Sequence, residues 1–321
     1  MPYGCRPLYN IAMTADEKLA AILAAVQTDP GNRGLARDPA DNLFTATAGD
    51  FQAACQSIVT YPQPRLQVVT GFIIPSVEPP TFETDGPLGA VFLARAMACC
   101  GVSVLMLADH NCGRCFEPGL SAAGVADRDV VRNVPHDDAL HGPWLKANGL
   151  GPATHVVGLE RPGPASNGCY HTMRGRDITD LMLPAHHLFV PGEGKTLSWT
   201  TIGIGDGGNE IGMGKIPHET VVRNIPNGDL IHCRVPTDHL IVAGVSNWGA
   251  YALAAGVFVL RGVTPPADLF DPDRERQILE VMVREGPLVD GVTGQQTATV
   301  DGLTWDEYAA PLIRIREILE S

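Results

Sequence analysis

The sequence predicts an α/β protein with a mostly parallel sheet flanked by helices and a site at the carboxyl ends of the strands. Short, almost continuous apolar runs, such as residues 66–74, are typical of strands buried on both faces. That run is followed by an apolar helix and by a second apolar run at residues 102–108, which is the pattern of a right-handed parallel crossover. Ligands of such sheets bind outside the carboxyl ends of the strands.

Residues 1–65 are predicted to hold an N-terminal helix and an irregular approach segment. Thr14 and Glu17 have the spacing of a capping box, ahead of a helix that runs to Val26. Residues 28–50 are rich in Gly, Asp, Asn and Pro and show no period, so no regular element is predicted there.

Residues 66–321 are predicted to form the α/β domain, with residues 112–153 as an insertion or subdomain. The predicted strands lie at residues 66–74, 102–108, 154–159, 197–204 and 240–245. The predicted helices lie at residues 87–100, 121–131, 250–260, 273–285 and 305–319.

The composition is that of a soluble globular protein with an acidic surface. The 321 residues carry a formal net charge of −13, which argues against nucleic acid and anionic membranes as partners. No apolar run is long enough for a membrane-spanning helix, and the N-terminus lacks the pattern of a secretion signal. The eight cysteines are scattered, which favours reduced thiols and a cytoplasmic location.

The most informative stretch is the glycine-rich loop at residues 201–214. Six of its fourteen residues are glycine, which suits the close approach of a ligand to the backbone. Asp206, Asn209 and Glu210 add oxygen ligands and one amide, suited to a hard cation or to a substrate ammonium group. The glycine spacing is not that of a dinucleotide-binding loop, so no nucleotide cofactor is predicted. A tight turn without any ligand is the alternative interpretation.

Five predicted strands each end in a cluster of polar residues. The clusters are Glu83 with Asp85, Asp109 with His110, Glu160 with Arg161, Asp206 with Asn209 and Glu210, and Ser246 with Asn247. In a parallel sheet, four or five of these carboxylates would converge on one crevice, and their repulsion would require a divalent cation, an ammonium group or retained protons. Simpler roles stay open: a helix cap for Asp85, a turn for Asp109, and a surface ion pair between Glu160 and Arg161.

Seven short runs between residues 84 and 294 carry a resemblance to a known family. They lie at residues 84–87, 160–163, 173–178, 203–214, 238–244, 245–250 and 289–294. Together they closely resemble the D-glutamate cyclase family over roughly residues 66–303, and the glycine loop and the Ser-Asn-Trp-Gly string at 246–249 are the most specific parts. The chain is expected to be the catalytic C-terminal part standing alone, without the separate N-terminal domain of the mitochondrial animal members.

The resemblance implies a hydro-lyase that converts D-glutamate, a small amino-acid substrate, into 5-oxo-D-proline and water. Such a cyclisation needs a base for the ammonium group, neutralisation of the side-chain carboxylate and a proton for the leaving oxygen. The predicted acidic group, which accepts the ammonium proton or binds Mg²⁺ or Mn²⁺, consists of Glu83, Asp85, Asp206 and Glu210.

Other residues are predicted to bind the substrate. Arg161 and Arg174 are the predicted clamps for its carboxylates. The backbone amides of Gly207 and Gly208, with Asn247, are predicted to stabilise the tetrahedral oxyanion. Asn209 and Ser246 complete the predicted substrate-binding set.

Two other functions stay open at this point. A divalent-metal-dependent phosphohydrolase would use the same acidic strand ends, although the spacing of a P-loop lysine is missing. A non-catalytic small-ligand-binding protein would need no cluster of carboxylates at a site of metal size. The small-residue segment 244–256 could pack against the sheet or against a second subunit, so a homo-oligomer also stays open.

Overall fold

The computed structural model describes residues 13–125, 131–133, 152–194 and 196–321. Its strands, in chain order, are Arg65–Thr70 (β1), Ile73–Ile74 (β2), Thr81–Phe82 (β3), Ser103–Ala108 (β4), Val131–Asn133 (β5), His155–Leu159 (β6), Thr200–Gly205 (β7) and His239–Val242 (β8). Six of them form one parallel sheet in the order β5-β4-β1-β6-β7-β8, and β2 and β3 form a separate antiparallel pair. The predicted α/β class with a parallel sheet is confirmed.

Helices cover both faces of the sheet. They are Ala15–Val26 (α1), Leu43–Ala46 (α2), Asp50–Thr60 (α3), Pro87–Cys99 (α4), His110–Ala122 (α5), His218–Asn224 (α6), Gly228–Ile231 (α7), Ser246–Arg261 (α8), Pro272–Glu285 (α9) and Trp305–Glu320 (α10), with 3₁₀ turns at Thr179–Leu181 and Ala185–Leu188. Within the described ranges, no helix combines the length and the apolar composition needed to span a bilayer.

Alternate residues of the central strand β1 enter two different apolar cores. Val68 lies in the larger core, with α1, α3, α4, α8, α9 and α10, whereas Val69 lies in a smaller core with α2, α6 and α7. Side chains of a strand alternate between the faces of the sheet, and here both faces are covered. This explains why the strands are continuous apolar runs in the sequence.

Two predicted elements need correction. The strand predicted at residues 66–74 ends at Thr70, because Gly71 has a positive φ of 106° and turns the chain out of the sheet. Residues Ile73–Ile74 then pair with Thr81–Phe82, so Glu83 and Asp85 follow this small hairpin rather than the strand itself. The helix predicted at residues 121–131 instead spans His110–Ala122.

The N-terminal segment packs into the same core as the rest of the chain. The predicted capping box of Thr14 and Glu17 starts α1, while residues 28–50, predicted as irregular, contain the short helix α2. Helix α3 was not predicted from the sequence. The division between residues 1–65 and 66–321 stays a prediction, and most of the proposed insertion at 112–153 lies outside the described residues.

Helix α8 is the central helix of the larger core. Its residues from Ser246 to Phe258 are buried, and it contacts α1, α3, α4 and α10. A Cβ atom at Gly249 would lie 2.4 Å from Ile204 of β7, so this glycine allows the helix to lie directly on the sheet. The small residues at 244–256 therefore serve packing within one chain, and a homo-oligomer stays a prediction.

We expect Gly256→Val to lower the free energy of unfolding by roughly 1–3 kcal/mol, the usual cost of overpacking a core. A Cβ atom at this position would lie 2.4 Å from Sγ of Cys55 and 3.2 Å from Phe51. Urea unfolding monitored by circular dichroism measures the change. Unchanged or higher stability, as expected from the better helix propensity of Val alone, would contradict this packing.

Candidate active site

A cavity of about 510 Å³ opens at the carboxyl ends of β1, β6 and β7. Its buried lining carries five polar groups from distant parts of the chain: Glu83, Glu160, Asp206, Asn209 and Asp301. The volume is within the usual range of small-molecule sites. The site therefore lies at the carboxyl ends of the parallel strands, as predicted from the sequence.

Six buried carboxylates converge at this cavity. They belong to Glu83, Asp85, Glu160, Asp206, Glu210 and Asp301. One oxygen each of Asp85, Asp206 and Asp301 lie within 4.8 Å of one another, and the same is true of Glu160, Asp206 and Glu210. The predicted convergence is thus confirmed, with Asp206 shared by both groups and Asp301 as a member that sequence reasoning missed.

Asp85 is held by the first turn of α8. Its carboxylate accepts hydrogen bonds from the backbone N–H groups of Ser246 (2.9 Å), Asn247 (2.8 Å) and Gly86 (3.0 Å). These donors and the positive end of the helix dipole favour its charge. Asp85 is therefore a helix cap, but for α8 rather than for the helix that follows it in the sequence.

The glycine loop closes around the side chain of Glu210. This carboxylate accepts hydrogen bonds from the N–H groups of Asp206 (2.9 Å) and Gly208 (2.7 Å). A Cβ atom at Gly207 would lie within 3.0 Å of the side-chain oxygens of both Glu210 and Asn209, so a larger residue there would displace these side chains. Because the Gly208 amide already donates to Glu210, the structure does not support its predicted role as an oxyanion donor.

Asn209 offers an unused oxygen to the cavity. Its Nδ2 donates to the carbonyl of His171 at 2.8 Å, which sets the orientation of the amide. Its Oδ1 is buried and has no hydrogen-bond partner among the described residues. A buried oxygen without a donor is costly, so Oδ1 is a candidate ligand atom.

Ser246 and Asn247 support the site from behind and do not line the cavity. Ser246 Oγ donates to Glu160 at 2.5 Å. Asn247 Oδ1 accepts hydrogen bonds from the N–H groups of Gly86 (2.9 Å) and Gly89 (2.7 Å), where α4 begins. Both side chains are fully buried, so their predicted contacts with substrate are replaced by contacts that position Glu160 and α4.

Arg161 is not placed as a substrate clamp. Its guanidinium is fully buried, pairs with Asp109 at 2.7 Å and donates to the carbonyl of Leu183 at 2.7 Å. It reaches Asp109 because β4 and β6 both flank β1, whereas Glu160, one residue earlier, enters the cavity. The alternative of a surface ion pair between Glu160 and Arg161 is therefore excluded, and Asp109 instead forms an ion pair with Arg161.

The cation at the carboxylates is Arg33, which sequence reasoning missed. Its guanidinium pairs with Asp206 at 2.5 Å and with Asp301 at 2.9 Å. The turn that presents it is tied to Asp29, whose carboxylate accepts the N–H groups of Arg33 and Gly34, each at 2.8 Å. Its only local signal is the turn-like Gly-Asn-Arg-Gly at residues 31–34.

The electrostatics of the cluster favour neutral carboxyl groups. Burial and the neighbouring negative charges raise the pKa of Glu83 and of Glu160 well above the usual range. Burial raises the pKa of Asp85 to about 7, although its backbone donors oppose the shift. Burial also raises the pKa of Asp206, since Asp301 and Asp85 counteract the attraction of its partner cation.

The donor set fits a hard divalent cation. All the candidate ligands are oxygens, which suits Mg²⁺ or Mn²⁺. Asn209 Oδ1 and Asp301 Oδ2 are buried and have no hydrogen-bond partner among the described residues. Asp206 belongs to both groups of three carboxylates, so it could bind a cation in either group. The predicted cation is thereby compatible with the residues present.

Two arginines lie at the mouth of the cavity. Arg174 and Arg176 flank Gly175 in a turn closed by the pairing of His171 with Asp177, and both are exposed. Arg174 donates to the carbonyl of Val292 at 3.5 Å, and neither guanidinium forms an ion pair with any residue that the structure describes. Arg174 thus lines the cavity, and its role as a clamp for a substrate carboxylate stays a prediction.

Comparison with known proteins points to one family. The sequence model of the family described as D-glutamate cyclase-like, C-terminal, matches residues 22–316. The chain is also similar to D-glutamate cyclase, mitochondrial, of Homo sapiens, with 30% identity over an aligned length of 336 residues. The alignment covers 95% of this chain and 52% of that protein. The chain thus spans about half the length of this curated relative.

We expect the free energy of unfolding, measured in EDTA, to fall as the pH rises from about 7 to 8. Carboxyl groups with raised pKa values keep protons in the folded state that the unfolded state has lost, so each contributes a negative slope of at most about 1.4 kcal/mol per pH unit. The buried His155, His186 and His232, whose pKa values are lowered to about 4, are neutral in the folded state, and above about pH 7 they are mostly neutral in the unfolded state as well.

Urea unfolding at several pH values measures this slope. Glu160→Gln keeps an acceptor for Ser246 but removes one titrating group, so its slope should be flatter by up to the same amount. If Glu160→Gln had the same slope of unfolding free energy against pH as the parent protein, or if the parent protein became more stable with rising pH, the hypothesis that the folded state retains these protons would be contradicted.

Proposed function

This chain belongs to the D-glutamate cyclase-like family, and on that premise we propose that it cyclises D-glutamate to 5-oxo-D-proline and water. The observation that carries the proposal is the cluster of buried carboxyl groups with raised pKa values at one end of a cavity whose mouth carries arginines. The family assignment favours this reaction over a metal-dependent phosphohydrolase or a non-catalytic ligand-binding protein.

The reaction requires two proton transfers. The α-amino nitrogen attacks the side-chain carboxyl carbon, a C–N bond forms, and one C–O bond breaks. The substrate ammonium group has three protons and the ring nitrogen of the product has one. The substrate nitrogen therefore loses two protons, and both leave with the departing oxygen as water. The site must accept protons near the amine and return them near the oxygen.

Three carboxyl groups are suited to this transfer. Glu83, Glu160 and Asp206 line the cavity, and their raised pKa values favour the protonated form, so each can hold a proton beside the substrate. Asp85 and Glu210, which were predicted as catalytic, each accept at least two backbone hydrogen bonds, and we assign them to positioning the loop and α8.

The substrate is held by opposite charges at the two ends of the cavity. Its ammonium group would bind among the buried carboxylates, and its α-carboxylate would bind Arg174 at the mouth. Holding the extended molecule in a curled shape brings the amine to the side-chain carboxyl group, and such an intramolecular arrangement lowers the barrier strongly.

A divalent cation would be held by Asp206 together with Glu160, Glu210 and Asn209 Oδ1, and Glu83 would then be the one of the three proton-transfer groups in the cavity lining that is left to carry protons. When bound, Mg²⁺ or Mn²⁺ supplies a Lewis acid that neutralises the side-chain carboxylate. Arg33 keeps a second positive charge beside Asp206 and Asp301, so it limits the repulsion among the carboxylates.

The direct test is NMR of the purified protein with D-glutamate or L-glutamate, each with EDTA, Mg²⁺ or Mn²⁺. We expect 5-oxoproline from the D isomer, and more of it with a divalent cation than with EDTA. Product from neither isomer under any condition would refute the proposed reaction, and phosphate release from a panel of esters would then be the next assay.

We expect Asp206→Asn to lower turnover of D-glutamate by at least about 100-fold, the scale of a lost acid–base group. Asp180→Asn, an exposed position outside the cavity, serves as the matched control and should have normal turnover. Far-UV circular dichroism checks that both variants are folded. Near-normal turnover of a folded Asp206→Asn protein would exclude the proposed role.

A further inference from the structure

The cavity is larger than free glutamate requires. At about 30 Å³ for each water-sized group, its volume of about 510 Å³ holds roughly 17 such groups. Glutamate has ten non-hydrogen atoms, all of them used by the ring closure and its charged contacts. The remaining space, roughly seven such groups, would accommodate a further group somewhat smaller than glutamate.

Part of the cavity wall is apolar. Phe72 and Ile74 are 5% and 7% exposed, and with Met173 and Val292 they line the same cavity as the buried carboxylates. Val292 is 46% exposed, which places it at the mouth. Free glutamate has three charged groups and few methylenes, so it leaves this wall without a partner. An apolar group on the ligand would gain free energy by covering it.

Arg176 lies at the same mouth and is not used by the proposed reaction. It forms no ion pair with a residue in the described ranges, and it belongs to a turn fixed at both ends. His171 accepts a hydrogen bond from Asn209, and Asn227 donates to the carbonyl of Met173 at 3.1 Å. A guanidinium presented in this way is suited to bidentate binding of a carboxylate.

We propose that the site also takes γ-D-glutamyl amides of apolar amino acids and releases the amino acid in place of water. This inference rests on the proposed function, because it uses the same ring closure. The glutamyl part occupies the buried end of the cavity, the apolar side chain of the leaving amino acid covers Phe72 and Ile74, and its carboxylate binds Arg176.

The reaction balances without a further reactant. The α-amino nitrogen attacks the amide carbon, the new C–N bond forms, and the old amide C–N bond breaks. The two protons lost by the substrate ammonium group pass to the leaving nitrogen, which departs as an ammonium group. Glu160 and Glu83, which line the buried part of the cavity, are the groups placed to carry them. A neutral amide carbonyl also avoids the need to neutralise a carboxylate.

The test is NMR of the protein with γ-D-glutamyl-L-leucine, run beside D-glutamate, γ-L-glutamyl-L-leucine and γ-D-glutamyl-L-leucinamide. We expect equal amounts of 5-oxoproline and leucine from the D dipeptide. Its kcat/KM should exceed that of the leucinamide, which lacks the terminal carboxylate, by about tenfold, the effect of one good charge-assisted contact.

Arg176→Met tests the proposed carboxylate contact. The variant keeps an apolar stem but loses the guanidinium, so the ratio of kcat/KM between the dipeptide and the leucinamide should fall toward one. Arg314→Met, on the exposed face of α10, is the matched control and should leave the ratio at its parent value. A parent-like ratio in Arg176→Met would overturn the assignment of the leaving-group pocket.

The outcomes separate the two proposals. Turnover of D-glutamate without any leucine from the dipeptide would overturn this inference and leave the proposed function intact. Leucine release without product from D-glutamate would support the inference and contradict the release of water as the main activity. No product from either compound would overturn both.

Discussion

Six carboxylates lie buried around one cavity, and the arrangement of the surrounding structure follows from their mutual repulsion. Burial of an ionised carboxyl group is costly unless donors, a counter-ion or a proton compensates for lost water. All three forms of compensation are present: backbone amides at Asp85 and Glu210, the Arg33 guanidinium at Asp206 and Asp301, and raised pKa values at Glu83 and Glu160.

These compensating contacts also connect distant parts of the fold. Asp85 binds the first turn of α8, Ser246 of that turn binds Glu160, and Asn247 holds the start of α4. A small displacement of α8 would therefore shift two carboxylates at once. The buried packing of α8 against four other helices restricts such movement, so the apolar core and the charged site depend on the same helix.

The strand ends were the most predictable part of the site. Apolar runs followed by acids placed Asp85, Glu160, Asp206 and Glu210 at one edge of a parallel sheet, and the structure brings them together. The sequence did not predict which of these carboxylates would accept hydrogen bonds from backbone N–H groups. Glu210 and Asp206 belong to one loop and have the same chemistry, yet only the loop geometry directs two amides to Glu210.

The sequence alone determined the fold class, the edge of the sheet that carries the site, and the family, because these depend on local periodicity and on short, specific motifs. Only the tertiary structure decided that Arg33 and Asp301 enter the site and that Arg161 does not. Arg33 lies 173 residues from Asp206 in an aperiodic segment. Partners at that separation are set by chain packing and strand order, and no local pattern encodes them.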